Sequence, residues 1–312
     1  MSCWSIWICT FNIKSNYILR IIIKNHLNRK SYLSLFKKSN KYKKKLEINL
    51  KDYETYFYIT KIELFPIPYQ ELELGKKYYF MKTKENIELY NIYFNDNGAN
   101  RITRKYITKD DKVNKINIEF NENIKAINGL FYDCNILKEI KFTKFNRNDF
   151  TDLSNMFYGC ERLSSLDITK LKTPYVTDMK WMFALCKSLT ELNIINFDTS
   201  NVKDMTSLFS GCIHLQKLNY NFNTKNVESM RGMFFRCMSM KKINISKFDT
   251  NNLLHCQEMF YECISLQDID IRNFRNFGSI KIDKMFGCCS EKLKNKLKKK
   301  YKHLSDDVFK EK

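Results

Sequence analysis

The thiols decide first what chemistry this chain could perform. Its eleven cysteines could serve as nucleophiles, metal ligands or disulfide halves. Seven of them, Cys134, Cys160, Cys186, Cys212, Cys237, Cys263 and Cys289, recur at spacings of 26, 26, 26, 25, 26 and 26 residues. Equivalent positions in stacked repeats lie about 5 Å apart, so distance alone does not forbid bridging. A periodic core position nevertheless suits cysteine as a small hydrophobe with a weak donor, and seven thiols cannot pair completely. A core of free thiols fits a reducing compartment. No CxxC pair occurs, and the neighbours Cys288 and Cys289 have no partner pair, which argues against a zinc site. The pair His255–Cys256 is the one local hint of a nucleophile and base. Adjacent side chains diverge, however, and no orienting acid stands in a motif with them. Gly-rich phosphate loops, HExxH and GxSxG are absent. The expectation is a protein that is not an enzyme, with no catalytic, metal-binding or cofactor-binding residue and no small-molecule substrate.

The remaining chemistry is polar recognition. Lys141, Asp167, Asn193, Asn219, Asn244 and Asp270 recur in one column, flanked by Glu139, Ser165, Glu191, Lys217, Lys242 and Asp268. Amides and carboxylates in a row can hydrogen-bond the backbone of a protein partner. The plain alternative is a solvated strand face, which must be polar anyway.

The elements that carry this column read out of the repeat. Leu189, Leu192 and Ile194 fall at spacings of three and two, the L-x-x-L-x-L pattern of a short strand with one wet face. Val202, Met205, Leu208 and Phe209 then form a helical stripe, with Thr199, Ser200 and Asn201 as candidate N-caps and Gly211 as a stop. Phe131, Phe157, Phe183, Phe209, Phe234, Phe260 and Phe286 recur without exception. A second apolar column runs Phe145, Leu171, Phe197, Phe222, Phe248 and Phe274. One unit cannot bury its apolar face alone, so neighbours must stack. The predicted fold class is an α/β solenoid, a leucine-rich-repeat-like right-handed coil of short parallel strands and short helices. Six steps of about 4.8 Å would give a ribbon roughly 29 Å wide.

In chain order, residues 1–45 form a basic, partly apolar leader and residues 46–111 a small β-rich region. The predicted strands there are Tyr78–Met81, Ile87–Phe94 and Ile102–Ile107. Residues 112–290 hold the repeats, beginning with a degenerate one at Val113, Ile116 and Ile118. Residues 291–312 are predicted to be a basic amphipathic capping helix through Leu293, Leu297, Tyr301, Leu304 and Val308.

The net charge of +20 suggests nucleic acid, but its distribution does not. Residues 1–45 carry +11, residues 46–129 are neutral, residues 130–290 carry +4 and residues 291–312 carry +5. Nucleic-acid binding by the repeat surface is therefore not expected. Membrane or nucleic-acid contact through the basic termini is the alternative function. Residues 3–13 are largely apolar but too short to span a bilayer, and the first base, Lys14, follows them, unlike a signal peptide.

The phrases FDTSNVKDMTSLFSGC (Phe197–Cys212) and FDTNNLLHCQEMFYEC (Phe248–Cys263) resemble the repeat of the BspA-like leucine-rich-repeat proteins. That family includes the mycoplasma-lipoprotein repeat of unknown function. The resemblance covers residues 112–290 and implies a non-enzymatic interaction scaffold, often a surface protein engaged in adhesion. The lack of a clear signal peptide, together with the free thiols, points instead to the cytoplasm, with the cell surface as the alternative that the resemblance implies.

Overall fold

The computed structural model describes residues 59–311 except 97, 99, 122 and 275–279. The basic leader predicted over residues 1–45, with its share of any membrane contact, lies outside the described residues. The chain divides into two units, Met1–Ile59 and Thr60–Lys312, and every described strand and helix belongs to the second.

Its strands in chain order are β1 (Thr60–Pro66), β2 (Tyr78–Tyr79), β3 (Asn91–Phe94), β4 (Tyr106–Ile107), β5 (Ile116–Phe120), β6 (Leu137–Lys144), β7 (Ser165–Asp167), β8 (Glu191–Ile194) and β9 (Lys217–Tyr220). The largest sheet has the order β3-β5-β1-β6-β7. In β1 the alternation of TKIELFP sends Ile62 and Leu64 into the core and leaves Lys61 and Glu63 half-exposed, the period of a strand with one wet face. It pairs antiparallel with β5 on one side and β6 on the other. Ile116 and Ile118 therefore belong to an antiparallel strand and not to a degenerate repeat. The predicted strand Ile87–Phe94 opens instead with a 3-10 turn, Ile87–Leu89, which Asn86 caps by accepting from the Glu88 N–H at 3.0 Å.

The predicted solenoid of strands and short helices is overturned. Among the described residues, four of the six strand pairings are antiparallel, and no sheet runs through the repeats. Parallel pairing is confined to β6–β7, β8–β9 and single bridges such as Asp178↔Asp204. Among the described residues the single α-helix is α1 (Glu291–Lys300). The reason lies in where the backbone N–H groups go. Met205, Ser207, Phe209 and Gly211 donate to Ser229, Arg231, Met233 and Phe235 of the following repeat, at 2.7–2.9 Å. Between them, Leu208, Ser210 and Cys212 close tight turns on Met205, Ser207 and Phe209. No N–H is left for the i→i−4 bond of a helix. Ser207 and Gly211 have φ of 53° and 73°, left-handed values that also break helical continuation. The apolar residues Val202, Met205, Leu208, Phe209 and Cys212 are all buried here, at the three- and four-residue intervals a helix would also use, so the apolar stripe could not tell the two apart.

What stacks is side chains. Consecutive rung phenylalanines lie 5.4–5.7 Å apart, centroid to centroid, from Phe131 to Phe286. Each rung cysteine from Cys160 onward donates its thiol to the carbonyl of the phenylalanine one repeat earlier, at 3.0–3.2 Å. Burial pushes the Cys160, Cys212 and Cys289 thiols up to about 12, which keeps them protonated donors.

The repeat phrase carries its own polar framework. Thr173, Thr199, Thr224 and Thr250 are buried and donate to carbonyls of the next repeat at 2.7–3.0 Å. Asn201, Asn226 and Asn252 donate to carbonyls of the preceding one at 2.7–2.8 Å. Thr199 and Asn201 thus join repeats and cap no helix.

At the other end, α1 buries Leu293 and Leu297, with Tyr301 behind them. A 3-10 turn, Asp306–Phe309, follows where the sequence predicted more helix. Asp307 and Val308 offer their carbonyls to the N–H groups of Lys284 and Phe286 at 2.9 and 2.7 Å, and Phe309 stacks on Phe286 at 6.3 Å. Carboxylates fasten this tail. Asp268 pairs with Lys296 at 2.8 Å and Glu311 with Lys294 at 2.6 Å, and those ammonium partners hold both carboxyls below their ordinary values of 3.8 and 4.5. A carboxyl with a depressed folded pKa stabilises fully above its ordinary value and ceases to as pH falls through the folded one. Amide protection of residues 291–311, corrected for intrinsic exchange, should therefore fall from about pH 4.5 downward before that of residues 205–212. Parallel loss in both segments would show that these carboxylates do not fasten the tail.

Candidate functional site

The polar column predicted from sequence is brought together, though not as one surface. Lys141 lies opposite Asp167, and Glu139 opposite Ser165, in the β6–β7 pair. Asn193 lies opposite Asn219, and Glu191 opposite Lys217, in β8–β9. Lys242 bridges Asp268 two residues before Asn244 and Asp270.

Much of the column is already engaged. The side chains of Asp167, Asn193, Asn244 and Asp270 each accept the N–H two residues on, from Thr169, Ile195, Ser246 and Arg272, at 3.1–3.3 Å. These are Asx turns, and they supply a structural reason for Asn or Asp at a strand end. Lys141 pairs with Glu139 at 2.6 Å and lies over the Phe65 ring. Asp270 is held by Arg272 and by the Tyr301 hydroxyl at 2.9 Å, and the Arg272 hydrogen bond draws its carboxyl well below the usual range. Lys217 and Glu191 stand 3.9 Å apart in the open, a pair of little energetic weight.

Asn193, Asn219 and Asn244 behave differently: all three line one groove of about 470 Å³. Tyr220, Phe222 and Phe248 form its aromatic part, and Ile195, Asn221 and Lys247 its rim. A second depression of about 270 Å³ adjoins it, sharing Lys247 and Phe248.

The groove sits where the period slips. Cys212 to Cys237 is the interval of 25 residues, and the missing residue falls just after β9. Elsewhere Ile194 is followed by Phe197; here Tyr220 is followed by Phe222. The shortened turn leaves Asn219 without an Asx bond, and its side chain makes no hydrogen bond among the described residues. Nor does any backbone hydrogen bond join β9 to residues 241–245 among the described residues. The Tyr220 hydroxyl reaches across instead and donates to the Asn244 carbonyl. Burial pushes this phenol up to about 12, so it remains a donor. Tyr220 packs on Phe222 at 4.9 Å, and Phe222 lies 6.4 Å from Phe248.

Chemically, the lining offers amides over an aromatic floor, those of Asn219 and Asn221 unengaged among the described residues and those of Asn193 and Asn244 with their oxygens in Asx turns, together with one ammonium and no carboxylate. Away from the groove, burial pushes the Cys256 thiol beside His255 up to about 12. No group of three or more His, Cys, Asp or Glu among the described residues could hold a metal ion. Ile195, Leu218, Tyr220, Asn221, Phe222, Lys247 and Phe248 are the site residues that the periodic reading missed. The signal was the interval of 25, which marks the one turn that cannot match its neighbours.

The family described as "Mycoplasma protein of unknown function, DUF285" matches the chain over residues 104–191, 125–215 and 186–300. The groove residues all fall within that span. No curated protein and no solved structure matches the chain.

Proposed function

Because the chain belongs to this family of Mycoplasma proteins of unknown function, and its repeats account for the matched span, we propose that it is a non-enzymatic scaffold that binds a protein partner. The groove at the short repeat is the contact surface, and it takes an extended polypeptide segment. The observation that carries this reading is the grouping of Asn193, Asn219 and Asn244 over Tyr220 and Phe222. All three amides can donate to a peptide backbone, that of Asn219 can also accept from it, and the aromatic floor excludes water from those bonds. The narrower kinship with BspA-like proteins, and with it adhesion at a cell surface, belongs to the same proposal. It is supported by the phrase at Phe197–Cys212. The alternative, an anionic-surface binder acting through the termini, has less support in the tail, where Lys294, Lys296 and Lys298 are ion-paired.

The test is selection of short random peptides on the full chain, followed by affinity measurement on the variant Asn219→Glu, whose side chain has no Asx bond to lose. Selected peptides should bind the variant at least about tenfold more weakly, ~1.4 kcal/mol, at an unchanged melting temperature. Failure to select any peptide, or equal affinity for the variant, would remove this surface as the contact.

A further inference from the structure

We infer that the segment seated in this groove is acidic, with carboxylates placed against Lys242 and Lys247. The charge of the occupant is thereby added to the peptide-binding groove, on which this assignment rests. Its basis is two uncompensated cations, Lys247 in the groove lining and Lys242 two residues before the lining residue Asn244. Lys247 lines both depressions and is exposed, and it makes no ion pair or hydrogen bond among the described residues. Lys242, two residues before Asn244, is likewise exposed and unpaired among them. Other cations of the strand columns have carboxylates: Lys141 has Glu139, Arg272 has Asp270, and Lys217 faces Glu191.

The carboxylate that should serve Lys242 is diverted. Asp268 is its bridge partner along the backbone, yet the Asp268 side chain pairs with Lys296 of α1 at 2.8 Å. The groove lining supplies no acid in its place. Lys247 in the lining beside the unengaged amides of Asn219 and Asn221, with Lys242 close to Asn244 along the chain, therefore favours an anionic occupant, through steering and register more than through raw pair energy. An occupant bearing lysines at the same positions would be repelled.

The probe is a fluorescent peptide alternating glutamate and leucine, compared with its glutamine and lysine counterparts on the full chain. The glutamate peptide should bind about tenfold more tightly than the glutamine one, and this advantage should vanish in high salt. It should vanish also in the variant Lys242→Gln/Lys247→Gln, while the glutamine peptide binds that variant as before. Equal affinity for glutamate and glutamine peptides would overturn the acidic assignment and leave the groove reading standing. A glutamate preference that persists in the lysine variant would also overturn it, since the charge would then be read elsewhere on this basic chain. Binding of none of the three would remove both readings.

Discussion

Replacing Phe209 with alanine should cost about 3–5 kcal/mol of stability, the range for truncating a fully buried aromatic ring. Phe209 has no exposed surface and sits midway in the phenylalanine column, 5.5 Å from Phe183 and 5.4 Å from Phe234. Neighbouring rungs cannot close over the gap. Their spacing is fixed by backbone bonds on either side of the ring, Phe209 N–H to Met233 and Phe183 N–H to Leu208. Urea unfolding of the purified variant measures the loss. Phe235→Ala is the control, because that ring is only half-buried and stacks on a single neighbour, Tyr261. If the two truncations cost the same, the column is not what holds the repeats together. Should Phe209→Ala fail to fold, Phe209→Leu tests the same point with a smaller cavity.

The second large effect is expected at Arg147, whose side chain is 1% exposed. Arg147 occupies the place that Thr173, Thr199, Thr224 and Thr250 hold in later repeats. Where those threonines reach forward, Arg147 reaches back, donating to the carbonyls of Asn121 at 2.9 Å and Ile124 at 2.5 Å. Its guanidinium also lies 4.1 Å from the centre of the Phe150 ring and pairs with Asp149. Arg147→Met would leave the Ile124 carbonyl without a donor and remove one of two from the Asn121 carbonyl, which keeps the Ile124 N–H at 3.3 Å; the loss is about 2–4 kcal/mol, ~1–3 for the orphaned carbonyl and ~1 for the other bond. The ion pair is the lesser part. Asp149 is 59% exposed, and Asp149→Asn removes the charge while keeping an amide oxygen as acceptor for the guanidinium, so it should cost less than Arg147→Met. Chemical denaturation of both variants separates the two contributions. Equal losses would mean that the charge pair, and not the carbonyl bonds, is what Arg147 supplies.

These two side chains mark how far the sequence could be read. Phe209 was legible: an aromatic returning at one interval with nothing polar in its column has to be core, and the rung cysteine three places after it shares that logic. Arg147 was not, because an arginine between Asn146 and Asn148 reads as surface, and only the fold places two carbonyls behind it. The turns after Val202 misled for a different reason. Their backbone depends on left-handed residues, and this chain puts Trp181, Leu185, Arg236 and Glu262 in such positions, where nothing in the residue type announces it. The strand β1 lies in the region read as β-rich but was not singled out, and its place between two partners rests on long-range pairing that an alternating TKIELF does not reveal. In the candidate site, the amide column was legible from its spacing. Its partial use in Asx turns was not, and neither was the gap opened by one absent residue.

The tail has a wider consequence. Asp307 and Val308 hand to Lys284 and Phe286 the same acceptors that Asp283 and Met285 hand to Glu258 and Phe260. The last rung thus meets a counterfeit of the unit that would otherwise come next. Nothing in the interior counts the units, so the number of stacked units is set by where this stopper is attached. A gene duplication that inserts one whole 26-residue module ahead of that stopper leaves every junction matched.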